Sequence, residues 1–515
     1  MLVKTFGSAV YGVEAITITV EVNWMGSNTG YLIVGLPDNA VKESLQRIES
    51  TVKSIKYEMP RTRIVVNMAP ADIKKSGTAF DLTIAMGILA ATEQVKNPEV
   101  IEQYIIMGEL SLDGEVRPIK GSLPIAIQAR KEGFKGLIVP KANAKEAGMV
   151  NNLKVFGVDH ITEVIDFFKN GETGLEQVVI NTREEFFNAQ YDFEIDFADV
   201  KGQENIKRAL EIAAAGGHNA ILIGPPGAGK TMLAKRLPTI LPPLSLHEAL
   251  ETTKIHSVAG KLPENSTLVS KRPFRSPHHT ISDVALVGGG GVPQPGEISL
   301  AHNGVLFLDE LPEFKRTVLE VMRQPMEERR VTISRAKVAV DFPASFMLIA
   351  SMNPCPCGYY NHPEKECTCP PGAVQKYLNK ISGPLLDRID LHVEVTPVPF
   401  SELSTTQKQE PSASIRERVM QAREMQASRY KNNSGIYCNA QISSKMLKEI
   451  CVINTAGQNL LKTAMERLNL SARAYDRILK VSRTIADLGG SQDIKVEHLA
   501  EAIQYRSLDR EGWAG

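Results

Sequence analysis

The chain has 515 residues and carries 59 Lys and Arg against 59 Asp and Glu, a formal net charge of +0. Hydrophobic residues make up 43% and charged residues 23%, which is globular composition and excludes a disordered or fibrous chain. The charge balance also excludes any whole-molecule attraction to nucleic acid, so a basic site has to be local.

In chain order, the N-terminal run MLVKTFGSAVYGVEAITITVEV alternates like a strand and carries Glu14, which argues against a signal peptide. Residues 1–180 intersperse apolar strands (ITITVEV, YLIVGLP, TRIVVNMAP) with helical stretches such as FDLTIAMGILAATEQ. Residues 181–199 hold six acids and one base and read as an acidic linker or covering strip. From 200 to 400 the strand-like runs NAILIG, GVLFLD and FMLIAS alternate with helical and Gly/Pro-rich segments, the βα rhythm of a parallel sheet. Residues 401–414 form a polar linker, and 415–515 is helical in pattern. The charge-free stretch from Phe342 to Pro363 is broken by Pro343, Asn353, Pro354, Pro356 and His362, so it does not read as a membrane span. A soluble, cytoplasmic protein with no membrane partner is expected.

The strongest motif is Gly224-Pro225-Pro226-Gly227-Ala228-Gly229-Lys230-Thr231, a G-x-x-x-x-G-K-[ST] loop between a predicted strand and a predicted helix. Backbone N–H groups of such a loop converge on phosphate oxygens, Lys230 reaches the β- and γ-phosphates, and the Thr231 hydroxyl ligates Mg²⁺. About eighty residues on, the apolar strand Val305–Leu308 ends in Asp309 and Glu310. Asp309 is expected on the magnesium and Glu310 as the general base for the attacking water, with ATP as the nucleotide.

GPPGAGKT, VLFLDE, LIASMNPCPCG and PLLDRIDLHVEV together resemble the magnesium-chelatase-like branch of AAA+ ATPases, and within it the YifB/ComM family. The resemblance runs from the first strand to about residue 508. It implies a homo-hexameric ring in which Asn353 orients the attacking water, Arg388 is an arginine finger given to the neighbouring subunit, and Arg473 contacts the nucleotide from the helical lid. Arg477, one turn later, is the second choice for that role, and Val200 and Gly202 lie where the base and ribose are bound. Residues 67–90 and 108–140 resemble the Lon protease domain, with Ala79 where the family's nucleophile stands and Pro124 at its lysine. A Ser–Lys dyad needs both groups, so no peptidase activity is expected.

Cys355, Cys357, Cys367 and Cys369 fall within fifteen residues, in a compartment that favours zinc over disulfides. Between Glu310 and Asn353 the run RRVTISRAKVAV reads as a hairpin about Ser334 to Lys337. In the resembling family this hairpin enters the ring's channel, so Arg335 and Lys337 are candidate DNA contacts. A second insert, Phe274 to Gly291, is expected to line the same channel. The resemblance to ComM-like competence proteins implies a motor for DNA translocation or branch migration. A protein-remodelling ATPase and a chelatase-type motor subunit share the same nucleotide site and remain alternatives. Residues 411–488 hold thirteen Lys and Arg against six Asp and Glu, which favours an anionic partner.

Overall fold

The alternating N-terminal run closes on itself at Gly12, pairing strands β1 (Leu2–Tyr11) and β2 (Glu14–Trp24) antiparallel from Leu2↔Asn23 to Tyr11↔Glu14. A computed structural model describes residues 1–25, 30–263, 268–335, 338–360, 362, 364–398, 409–433 and 435–506. In it these strands join β3 (Tyr31–Val34), β4 (Ile64–Ala69), β5 (Tyr104–Ile106), β6 (Gly136–Pro140) and β7 (Lys154–Val158). The resulting mixed sheet has the order β3-β4-β2-β1-β5-β6-β7. The apolar helix Asp81–Ala91 is buried at every residue. It lies tight against this sheet because Gly87 has no side chain: a Cβ there would stand 2.7 Å from Val22.

The second sheet is built from β8 (Ala220–Ile223), β9 (Phe274–Arg275), β10 (Val305–Leu308), β13 (Met347–Met352) and β14 (Leu391–Glu394), in the order β9-β10-β13-β8-β14. Every pairing is parallel, and the apolar runs of β8, β10 and β13 are buried throughout, as a sheet covered on both faces requires. Between β10 and β13 the chain forms the expected hairpin, β11 (Arg330–Arg335) pairing antiparallel with β12 (Val338–Pro343).

Within the acidic stretch, Thr182–Ala189 is a helix and Phe197–Asp199 a single turn capped by Asp196. Phe186 and Phe197 are buried, so this strip covers the body rather than swinging free. One connection departs from the expected division at residue 200. The helix Leu246–Ala259 follows the P-loop helix in sequence, yet Leu244, Ala249 and Leu268 join the hydrophobic core of the N-terminal sheet. Gly121 N–H donates to the Ser257 carbonyl at 3.2 Å, and the Ser257 hydroxyl donates to Glu146.

The C-terminal part is helical, with helices Ser412–Tyr430, Ser444–Ile450, Thr455–Arg467, Ala472–Leu488 and Val496–Gln504. The first begins inside the expected polar linker, of which residues 401–408 lie outside the described residues, as do 507–515. A buried polar network ties these helices to the second sheet. His218 joins Asp390 (3.1 Å) to Thr484 (2.8 Å), while Asn439 donates to Thr484 (3.0 Å) and Asp487 (2.8 Å). Asp487 also pairs with Arg429 (2.6 Å) and Arg483 (3.1 Å), so every buried charge here has partners. Among the described residues no helix is long and apolar enough to cross a membrane.

Burial, with Arg506 beside it, holds His392 neutral, its pKa well below the usual imidazole range; burial likewise lowers His256. Below about pH 6.5 the unfolded chain takes up protons that these sites refuse, so stability falls as pH drops. Denaturation midpoints measured between pH 7.5 and 5.5 should therefore fall towards acid, each group contributing up to about 1.4 kcal/mol per pH unit. His392→Gln should flatten that slope, and an unchanged slope would show that His392 titrates freely.

Candidate active site

The loop Gly224–Gly229 leaves the buried strand β8 and turns through left-handed backbone at Gly227 (φ 79°) and Gly229 (φ 83°), which glycine adopts without strain. Gly224 passes so close to β14 that a Cβ would lie 2.3 Å from the Val395 carbonyl oxygen. Lys230 opens the next helix (Lys230–Arg236) with its side chain turned inward. Its ammonium donates to the carbonyls of Gly224 (2.7 Å) and Pro225 (2.9 Å) and to Asn353 Oδ1 (3.1 Å). Burial lowers the Lys230 pKa, and the nearby Asp309 and Glu310 oppose that shift.

Because β13 lies between β8 and β10, three strand ends meet here. Asp309 accepts from the Thr231 hydroxyl at 2.7 Å on one carboxylate oxygen and from the Ser351 hydroxyl on the other. Sequence reasoning missed Ser351; its signal was a hydroxyl two residues before Asn353, on a strand otherwise apolar. Glu310 adopts a left-handed backbone (φ 53°), an uncommon conformation for a non-glycine residue that turns its side chain out of the sheet's line. That side chain is 57% exposed, and His279 Nδ1 lies 3.7 Å from its Oε2. The insert that carries His279 therefore borders the acid as well as packing towards the hairpin. The site thus gathers a caged ammonium, a hydroxyl–carboxylate pair suited to a divalent cation, an exposed carboxylate and an amide. These can bind a magnesium–polyphosphate and orient a water against it.

Val200 is buried and Gly202 is left-handed, and the neighbouring Gln203 amide donates to the Thr396 carbonyl at 2.8 Å, beside the P-loop. The two arginines are not part of this cluster within one chain. Arg388 donates to the Pro384 carbonyl at 2.6 Å and pairs with Glu327, leaving its side chain 13% exposed. Arg473 is 67% exposed and pairs with Asp387, the residue next to Arg388, at 2.8 Å. Both arginines thus lie on one edge. Arg477 is instead committed to the buried Asp390 at 3.0 Å. Burial alone would raise the Asp390 carboxyl, but Arg477 and His218 hold it well below the usual range.

The hairpin base is packed by Val331, Ile333, Val340 and Phe342. The second insert and the N-terminal turn both close on this base: a Cβ on Gly288 would lie 2.9 Å from Ile333, and one on Gly12 would lie 2.8 Å from Val340. Arg335 is the last residue of β11, and Lys337 lies outside the described residues. In the N-terminal part, Ala79 lines a cleft of about 500 Å³ with Ser76, Glu109 and Lys120, and Val292 and Gln294, just past the second insert, line it as well. Pro124 is buried inside the helix Ser122–Lys131.

Residues 196–403 match the family model described as magnesium chelatase, subunit ChlI. Residues 409–506 match the C-terminal model of the same subunit, and 20–143 match a further model, subunit ChlI of Mg-chelatase. The competence protein ComM of Haemophilus influenzae is 44% identical over 511 residues, spanning 99% of this chain and 98% of ComM. YifB of Escherichia coli is 44% identical over 507 residues, 98% of this chain and 96% of YifB. Lon protease 2 of Bacillus subtilis is 32% identical over 150 residues, 27% of this chain and 26% of the protease.

Ser351→Ala removes one of the two hydroxyls that hold Asp309. The loss of one hydrogen bond, about 1 kcal/mol, should weaken magnesium-dependent nucleotide binding about fivefold. Nucleotide binding in the presence of a chelator should not change. Titration with a fluorescent ATP analogue, with and without Mg²⁺, separates the two.

Proposed function

The chain belongs to the magnesium-chelatase-like AAA+ family that includes ComM and YifB, and from that membership we propose an ATP-hydrolysing ring motor that acts on DNA. The observation that carries the ATPase reading is the caged Lys230, joined to Asn353 and set beside an Asp309 held by Thr231. In this reading phosphate oxygens replace the carbonyls around Lys230, and Thr231 and Asp309 hold Mg²⁺. Glu310 takes the proton of a water oriented by Asn353. A Mg²⁺ held by Thr231 and Asp309 would supply neutralisation of the charge that develops on the transferred phosphoryl group.

Arg388 lies on an edge away from its own P-loop, which supports its delivery to the neighbouring subunit of a homo-hexamer. Arg473, paired with Asp387 on the same edge, is the lid arginine of this reading. Arg388 then exchanges Glu327 for the neighbour's γ-phosphate. The DNA part rests on the likeness to the competence protein ComM and on two basic residues, Arg335 at the end of β11 and Lys337 in the sequence that joins the two hairpin strands. Six copies would form a basic collar that binds phosphates without reading sequence. A protein-remodelling motor is the second reading, favoured by the N-terminal cleft, which Val292 and Gln294 of the nucleotide-binding part help to line.

Glu310→Gln should still bind ATP but turn over at least about a hundredfold slower, the scale of general-base loss; full turnover in that variant would remove Glu310 from the chemistry. ATPase rates measured with single-stranded, duplex and four-way-junction DNA should rise with at least one of them. Stimulation by none would favour the protein client. Arg335→Ala/Lys337→Ala should abolish the stimulation and flatten the salt dependence of DNA binding, and wild-type values in that variant would exclude the hairpin.

A further inference from the structure

Among its described residues, the loop that leaves β13 after Asn353 has no regular secondary structure until the helix Ala373–Leu378, and residues 364–366 and 370–372 are exposed. Such a segment has little apolar surface to offset the entropy of ordering it, so another interaction has to hold it. Its four thiols converge. Cys355 Sγ lies 3.2 Å from Cys357 Sγ and 3.7 Å from Cys367 Sγ, and Cys357 Sγ lies 3.6 Å from Cys367 Sγ. With Cys369 included, all four sulfurs fall within 4.8 Å of one another, and Cys355 is fully buried.

These separations decide between two chemistries. A disulfide needs sulfurs about 2.05 Å apart, and all four cysteines are free thiols. A tetrahedral ion with Zn–S bonds of about 2.3 Å has sulfur–sulfur edges of about 3.8 Å, close to the spacing found. An all-thiolate tetrahedral set selects zinc among the common divalent ions. His362 is not one of the converging ligands. Its Nδ1 accepts from the backbone N–H groups of Glu364 (3.0 Å) and Lys365 (3.1 Å), shaping the turn between the two Cys-x-Cys pairs.

The loop also touches the nucleotide site at two points. Asn353, whose Oδ1 accepts from Lys230, stands two residues before Cys355. Gly358 (φ 86°) sits on the P-loop itself: a Cβ there would lie 2.5 Å from Pro226 Cδ. We propose that Cys355, Cys357, Cys367 and Cys369 bind one zinc ion, and that the metal-closed loop braces Asn353 and Pro226 in the geometry that receives the phosphates. The brace rests on the ATPase reading; the metal site does not. Zinc here performs no chemistry on the nucleotide. It closes a short chain segment whose ends would otherwise leave the P-loop unsupported.

The test uses the full-length chain purified without chelator, with metal content read by elemental analysis and nucleotide affinity by titration with a fluorescent ATP analogue. The wild type should contain about one zinc per chain, the stoichiometry of a closed four-thiolate site. Cys367→Ser/Cys369→Ser should lose the metal, keep its helical circular dichroism and bind the analogue at least about fivefold more weakly, roughly one lost contact. Gly358→Ala keeps all four thiols; it should retain zinc yet bind nucleotide more weakly. Returning zinc to chelated wild type should restore affinity, and should not in the double variant. A wild type holding less than about a tenth of a zinc per chain would overturn the metal site. Equal nucleotide affinity with and without zinc would overturn the brace. Zinc-loaded wild type that binds no nucleotide would instead overturn the ATPase reading and the brace with it, leaving the metal site standing.

Discussion

The carboxylate of Asp309, held between the hydroxyls of Thr231 and Ser351, is the contact on which the candidate site depends. It exists only because β13 lies between the strand that launches the P-loop and the strand that ends in the acids. A parallel sheet in that order brings three carboxyl-terminal strand ends to one edge, where ligands of open α/β sheets are bound. Moving β13 out from between the other two would separate Lys230 from Asn353 or Asp309 from Ser351. The burial of all three strands makes such a move costly, since each is apolar but for Ser351 and needs cover on both faces.

Around that edge the three parts of the chain are cross-tied rather than strung in series. The helix Leu246–Ala259 leaves the nucleotide-binding part to complete the N-terminal core. The C-terminal helices reach back through His218, Asp390 and Thr484. Pairs such as Arg477–Asp390 and Arg429–Asp487 bury the carboxylate, which unpartnered would cost several kcal/mol. This is why Arg477, though one helical turn from Arg473, is a structural residue, while Arg473 remains on the surface beside Asp387. The inserts follow the same logic. Gly12 and Gly288 let the N-terminal turn and the second insert close on the hairpin base, so movement of one has to be accommodated by the others.

The sequence by itself determined the phosphate loop, the acidic strand end, the four-thiol segment, the hairpin and the helical C-terminal part. Each rests on local rules: glycine spacing, an apolar run ended by carboxylates, alternation about a turn, and helical periodicity. Lys230 could be recognised without knowing what surrounds it, because the loop's backbone geometry is written into its own glycines. Only the tertiary structure decided that Ser351 completes the hold on Asp309, and that Gly358 rests on Pro226. It alone placed Arg388 with Glu327 and Arg473 with Asp387, on an edge apart from their own P-loop. It alone gave Leu246–Ala259 to the N-terminal core. The reason is physical: these relations join residues tens to hundreds of positions apart, and they are set by strand order and by which buried face meets which. An apolar stripe announces that a face will be buried, but it does not say against what.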